Sequence, residues 1–219
     1  MTTIWLARHA ETATPHLVHG AESDVALGEH GRRQAAAAAE WFHELSPTAV
    51  VSSNMLRARE TAAPIARLCG LAHEIEPELH ERMVGPFSQK TGEQVDTVWL
   101  ETVRRWEAGE IDYAYPGMES FRHIASRVVP AFERIATRHP GGRVVVIAHG
   151  MVAKVLLLSI LRGYGPEDFT RIGRALNLSV TELVPDGDRW RAGMLLTVPP
   201  PVVSVNDARV EKGGKKTEA

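Results

Sequence analysis

The chain has 219 residues, 44% of them hydrophobic and 24% charged, which is the composition of one ordinary globular domain long enough to bury a core. Lysine and arginine number 25 against 27 aspartates and glutamates, a formal charge of −2. That balance excludes both a broad basic surface for nucleic acid and an acidic solvating tail, while leaving room for a small cationic pocket.

Thr3-Ile-Trp-Leu-Ala7 is a short apolar run that stops at Arg8-His9, as a buried strand does at its end. Residues 10–27 lack a period and read as a loop. The alanine-rich stretch from Glu29 to Leu45 is a helix by propensity. Thr48–Ser52 reads as a second strand, and Asn54 as the N-cap of a helix that runs to Cys69 and stops at Gly70. Cys69, the single cysteine, has no partner for a disulfide or a CxxC pair, and its apolar setting reads as a buried thiol. Residues 73–90 read as irregular, followed by a polar helix over 91–108 and a break at Pro116-Gly117.

Phe121, Ile124, Ala125, Val128, Phe132 and Ile135 recur at the spacing of one buried helix face, with Pro130 expected to kink it. Arg143–Ala148 is the strongest strand signal, ending at His149-Gly150 and running into a helix over 151–162. Lys154 interrupts that helix, whose apolar run is far shorter than a membrane span needs. The N-terminus lacks the pattern of a signal peptide, so the expected location is the cytoplasm, with no membrane partner. Residues 179–184 and 190–196 flank Pro185-Asp-Gly-Asp as an antiparallel hairpin. Beyond 198 the chain turns proline-rich and then polar, and 199–219 reads as a disordered tail. Strands alternating with helices make this an α/β protein with a mostly parallel sheet.

Ligands of open α/β sheets sit beyond the carboxyl ends of the strands. Three such ends here carry polar residues: Arg8-His9, Ser52-Ser53 with Arg57 a turn into the next helix, and His149-Gly150. If these strands are neighbours, two imidazoles and two guanidiniums converge. A guanidinium fork suits phosphate, and a neutral imidazole among cations can attack phosphorus. Each element by itself is a weak signal, and an Arg-His pair at a strand end is more often structural than catalytic.

Leu6-Ala-Arg-His-Ala-Glu-Thr12 resembles the Arg-His-Gly signature of the histidine phosphatase superfamily, the phosphoglycerate-mutase-like proteins. Asp24–Ala35, Ser52–Ala62, Leu79-His-Glu-Arg82, Pro116–Phe121 and Ala148-His-Gly150 resemble further family segments in the same order, so the resemblance spans about residues 3–184. It implies a three-layer fold with helices on both faces of the sheet and a helical cover over about 82–118, within a domain of residues 1–198. Carried over by position, His9 is the nucleophile, Arg8, Arg57 and His149 hold the transferring phosphoryl group, and Glu81 is the general acid and base. Ala10, Thr12, His19 and Gly150 are marked as substrate-binding.

The resemblance implies no cofactor and no metal, because arginines supply the positive charge. His16-x-x-His19 lies in a loop with no third ligand in register. Ala10 stands where the family usually has glycine, and Pro15 to His19 replace an asparagine and an arginine common in relatives. Trp99, Trp106, Tyr113 and Tyr115 read as helix packing, with apolar substrate contact as the alternative. The expected activity is metal-independent hydrolysis of a small phosphorylated metabolite through a phosphohistidine, in a chain that could form a homodimer. A mutase and a phosphohistidine or phosphoprotein phosphatase are the alternatives.

Overall fold

The computed structural model describes residues 1–211 and holds a six-stranded sheet in the order β3-β2-β4-β1-β5-β6. The strands are β1 (Thr3–Arg8), β2 (Ala49–Ser52), β3 (His73–Ile75), β4 (Arg143–Ala148), β5 (Val180–Asp186) and β6 (Arg189–Ala192). The pairings β1–β4, β2–β4 and β2–β3 are parallel, whereas β5 runs antiparallel to both β1 and β6. The sheet is therefore mostly parallel, with the expected hairpin closing one edge.

The helices are α1 (Glu29–Glu44), α2 (Leu56–Cys69), α3 (Gly92–Glu107), α4 (Phe121–Arg138), α5 (Gly150–Ile160) and α6 (Pro200–Glu211). Strand periodicity divides them into layers. Ile4, Leu6, Val144, Val146 and Ala148 point into a core shared with α4 and α5, while Trp5, Ala7, Val145 and Ile147 point into one shared with α1 and α2. The small side chains Ala35, Ala38, Ala58 and Ala62 let α1 and α2 pack closely on that second face. None of the described helices is long and apolar enough to cross a membrane.

Three local expectations change. Met55, not Asn54, occupies the N-cap of α2, and the orphan N–H of Leu56 is accepted by Asp24 Oδ1 at 2.6 Å. Residues 73–75 form a parallel edge strand; it is too short and too exposed to show alternation, and His73 Nε2 meets Ser52 Oγ at 2.8 Å. Pro130 sits within one uninterrupted helix span, Phe121–Arg138, entered through Ser120, whose Oγ accepts the His123 N–H at 3.2 Å.

The expected disordered tail is also corrected: Pro200–Glu211 is helical and packs against α1. Its attachment is largely polar, which explains the lack of an apolar signal. Asn206 Oδ1 accepts from Gln34 Nε2 at 2.8 Å and from His30 Nε2 at 3.1 Å, and Arg209 Nη1 reaches both Glu11 oxygens at 2.7 and 2.8 Å. Residues 212–219, the rest of that expectation, lie outside the described residues.

Candidate active site

Because β2, β4 and β1 are adjacent and parallel, their carboxyl ends meet. His9 and His149 follow β1 and β4 directly, and their rings lie 5.2 Å apart, tilted by 60°. Arg8 ends β1, and Arg57 occupies the second position of α2, just beyond the end of β2.

Backbone contacts hold each group. His9 donates its N–H to Ala148 O at 2.9 Å, and its carbonyl accepts from Asn177 Nδ2 at 2.9 Å. His9 Nδ1 lies 2.7 Å from Ala10 O. A carbonyl only accepts, so Nδ1 carries the ring proton and Nε2 keeps its lone pair. Arg8 Nη1 donates to Ala175 O at 2.8 Å, and Arg57 Nη1 to Ser23 O at 2.9 Å. Thr61 Oγ1 donates to Arg57 O at 2.7 Å and accepts the Ala10 N–H at 3.0 Å, which ties α2 to the loop after β1.

Ser53 Oγ accepts the Met55 N–H at 3.2 Å and lies 2.8 Å from His149 Nε2. The Ser53 hydroxyl, with one proton and a second lone pair, thus holds the His149 ring through Nε2. His149 Nδ1, Arg8 Nε and Arg57 Nε are all buried without a hydrogen-bond partner among the described residues. Buried polar atoms left unpaired are costly, so three gathered at one strand-end crevice call for a ligand.

The electrostatics favour neutral imidazoles among cations. Burial, reinforced by Arg57 and Arg8, pushes His9 well below the ordinary imidazole range, and burial with Arg57 does the same to His149. Burial also lowers Arg8 and Arg57, opposed in both by the Glu81 charge. The Glu81 carboxylate lies against the first turn of α5: Oε1 accepts the Arg82 N–H at 2.8 Å, and the N–H groups of Val152 and Met151 approach at 3.4 Å.

A cavity of about 570 Å³ opens onto Arg8, His9 and Glu81, while Arg57 and His149 are fully buried and do not line it. Arg8, His9 and Glu81 line its inner part together with Thr12, His19 and Gly150. Gly150 has a steric reason: a Cβ there would come within 3.3 Å of Arg8 Nε. Ala10, the remaining expected contact, is fully buried behind the site and does not line the cavity. Its φ is not positive, so alanine suffices where relatives have glycine.

The aromatic residues divide between the two readings. Trp106 is fully buried, donates Nε1–H to Tyr113 O at 2.9 Å and supports the Arg82 guanidinium 4.9 Å above its ring. Trp99 packs on Trp106 and Phe169 and also lines the cavity, whereas Tyr113 and Tyr115 do not line it. Gly85 joins the segment after Glu81 to Pro116-Gly117: it has φ +52°, and a Cβ would meet Gly117 O at 2.6 Å.

Among the described residues no three His, Cys, Asp or Glu side chains gather where a metal ion could be held. His16 and His19 line the cavity, and His19 turns both ring nitrogens inward, to Thr14 Oγ1 at 2.8 Å and Ser23 Oγ at 3.0 Å.

Sequence reasoning missed Ser53, Thr61 and Asn177 as positioning groups and Arg82, Lys154 and Arg174 as cavity cations. Thr61 had a signal, since it lies one helical turn beyond Arg57. Asn177 and Arg174 had none, because only tertiary structure brings their loop to β1.

Paired histidines and arginines at adjacent parallel strand ends, with a carboxylate on the same cavity, are the arrangement that the resemblance to the phosphoglycerate-mutase-like proteins implies. The chain belongs to the histidine phosphatase superfamily, branch 1, whose model matches residues 4–196. It is 35% identical to a metal-independent phosphoserine phosphatase of Arabidopsis thaliana over 87% of this chain and 79% of that protein. It is 31% identical to phosphoglycerate mutase-like protein 4 of the same plant, over 85% of this chain and 81% of the relative. Among solved structures, a mycobacterial glucosyl-3-phosphoglycerate phosphatase complexed with VO3 superposes with a TM-score of 0.77 at 27% identity, covering 89% of this chain and 99% of that one.

Proposed function

We propose that this chain is a phosphomonoester hydrolase that works through a phosphohistidine on His9. The observation that carries the reading is the set of unpartnered buried nitrogens, Arg8 Nε, Arg57 Nε and His149 Nδ1, here taken as donors, beside an imidazole whose Nδ1 is held by Ala10 O. In the first step the Nε2 lone pair forms a bond to phosphorus and the ester P–O bond breaks. The three donors, with the charges of both arginines, stabilise the equatorial oxygens of the transferring group. As the ring becomes cationic, its Nδ1–H bond to Ala10 O strengthens. Glu81 gives its proton to the leaving oxygen. In the second step Glu81 takes a proton from water, the water oxygen bonds to phosphorus, and the N–P bond breaks to return the electron pair to His9.

A small metabolite fits best as substrate. The cavity falls within the range of small-molecule sites, and α3 walls it with Val95 and Trp99. The relatives named for phosphoserine and glucosyl-3-phosphoglycerate point the same way. Thr12 and His19 are assigned to the substrate, no metal or cofactor takes part, and the cytoplasm is the proposed location.

Hydrolysis of p-nitrophenyl phosphate in EDTA tests the reading. Wild type is expected to turn over and to be inhibited by vanadate, and His9→Ala to lose at least about 10³-fold in kcat, as loss of a nucleophile does. Activity that survives the substitution contradicts it. Glu81→Gln should slow esters with poor leaving groups far more than p-nitrophenyl phosphate, whose leaving group hardly needs the proton; equal losses remove Glu81 from the acid role.

A further inference from the structure

Glu81 is carried differently from the two histidines. His9 and His149 stand at the ends of paired strands, whereas Glu81 lies in residues 80–84, outside the sheet and between two short 3-10 turns at Pro77–Leu79 and Gly85–Phe87. No ladder fixes that stretch of main chain, so its polar groups must be satisfied from elsewhere. One guanidinium does most of this. Arg127 Nη1 donates to Glu78 O at 2.7 Å and to His80 O at 2.8 Å, and Nη2 donates to Glu81 O at 3.3 Å.

The same guanidinium forms a two-point ion pair with Glu119, Nε to Oε1 at 2.9 Å and Nη2 to Oε2 at 3.0 Å, with the side chains only 11% and 13% exposed. Glu119 in turn holds the residues after Glu81. Its Oε2 accepts the Met83 N–H at 2.9 Å, its own N–H donates to Met83 O at 3.1 Å, and its carbonyl accepts from Arg82 Nε at 2.9 Å. Burial pushes the Glu119 carboxyl up, but the Arg127 hydrogen bonds and charge outweigh it and leave the group below its ordinary value, so the carboxylate stays ionised.

Both partners are mounted on the core. Glu119 immediately precedes Ser120, the N-cap of α4, and Arg127 lies in the second turn of that helix, beside Ile124 and Val128, which are fully buried against the sheet. Neither Arg127 nor Glu119 lines the cavity, so neither touches a substrate there. We infer that Arg127 and Glu119 are positioning residues for Glu81, holding residues 78–83 so that its carboxyl meets the leaving oxygen and, later, the attacking water. The inference rests on the phosphatase reading, in which Glu81 is the acid and base. A misplacement of about 1 Å can cost on the order of 10²-fold, so loosening this segment should tell on steps that need the Glu81 proton and spare those that do not.

The test is the ratio of kcat/KM for phenyl phosphate to that for p-nitrophenyl phosphate, which reports how strongly transfer to His9 depends on a proton for the leaving oxygen. Glu81→Gln sets the full effect. Arg127→Met is expected to lower the ratio about tenfold or more, and the double variant with Glu81→Gln to lower it no further than Glu81→Gln alone. Arg127→Lys keeps the charge and Glu119→Gln keeps an acceptor, so each should lower the ratio by only about threefold. These two carry the test if Arg127→Met does not unfold cooperatively on heating. Equal losses on both esters in the Arg127 and Glu119 variants, an unchanged ratio, or a further fall in the double variant overturns the positioning role and leaves Glu81 as the acid. A ratio unmoved by Glu81→Gln itself, or a wild type that hydrolyses neither ester, breaks the underlying phosphatase reading, and the positioning role falls with it.

Discussion

The inner and outer parts of the cavity are built on different terms. At and behind the inner part, Arg8, His9, Arg57 and His149 stand at strand ends or in the first turn of a helix; main-chain carbonyls hold the first three side chains and Ser53 Oγ holds His149. The outer part takes residues 15–18, α3 and the loop around Arg174. A reacting centre needs fixed positions, and the sheet supplies them; selection among substrates needs only a wall, which loops and an exposed helix supply. The inner region should therefore set kcat for every ester, and the outer region should set which ester is used.

The largest separation between the regions should come from Arg57. Arg57→Ala is expected to lower kcat by about 10²-fold or more on all substrates alike, because it removes a positive charge and an aimed donor from the transition state. Arg57→Lys should recover only part of it, since an ammonium cannot reproduce the fork to Ser23 O and the ligand. Substrate-dependent losses in steady-state kinetics would break the comparison.

Ser53→Ala should follow, costing about tenfold in kcat with KM little changed, because His149 loses the contact that holds its ring through Nε2. Trp99→Leu belongs to the outer region and should shift KM several-fold, by different amounts for bulky and small esters, while kcat on a small ester holds. A uniform fall in kcat from Trp99→Leu would move α3 into the inner region.

The pH dependence sharpens the inner side. Both histidines have folded pKa values depressed below the unfolded one, so the native state binds fewer protons than the unfolded chain just below the ordinary imidazole range of about 6.5. Their contribution to stability is therefore present above that value and is lost as pH falls through the folded pKa values. In an NMR titration of the free protein, the His9 imidazole signal, assigned by its loss in His9→Ala, should keep its neutral-form shift as the pH falls through the ordinary imidazole midpoint. A midpoint at about 6.5 would contradict the buried, cation-flanked account. The smallest effect is expected at Ala10→Gly, about 0.5–1 kcal/mol of destabilisation by thermal or urea unfolding with activity nearly unchanged, since nothing there needs positive φ.

The same division governs what could be read in the sequence. Arg8-His9, Ser52-Ser53 and His149-Gly150 were visible because an apolar run ending in polar residues marks a buried strand and its end together. Their convergence required only that β2, β4 and β1 be neighbours, as they are. Glu81 depended on resemblance, since its segment has no periodicity. Asn177 and Arg174 were invisible because their loop reaches β1 only through tertiary pairing, with Leu178 N donating to Arg8 O at 3.1 Å. The helix at Pro200–Glu211 was missed for a different reason: Val202 is its one fully buried apolar residue among those described, and Asn206 and Arg209 do the rest of the attachment through polar contacts.

The central claim is that phosphorus is bonded to His9 during turnover, and trapping that bond tests it most directly. Protein mixed with a labelled phosphomonoester, quenched in alkali and mapped by mass spectrometry, should carry the label on the peptide containing His9. The label should vanish in His9→Ala and persist longer in Glu81→Gln, where the activation of water is impaired. Label on another residue, or turnover by wild type with no covalent label and inversion at phosphorus, would contradict the account.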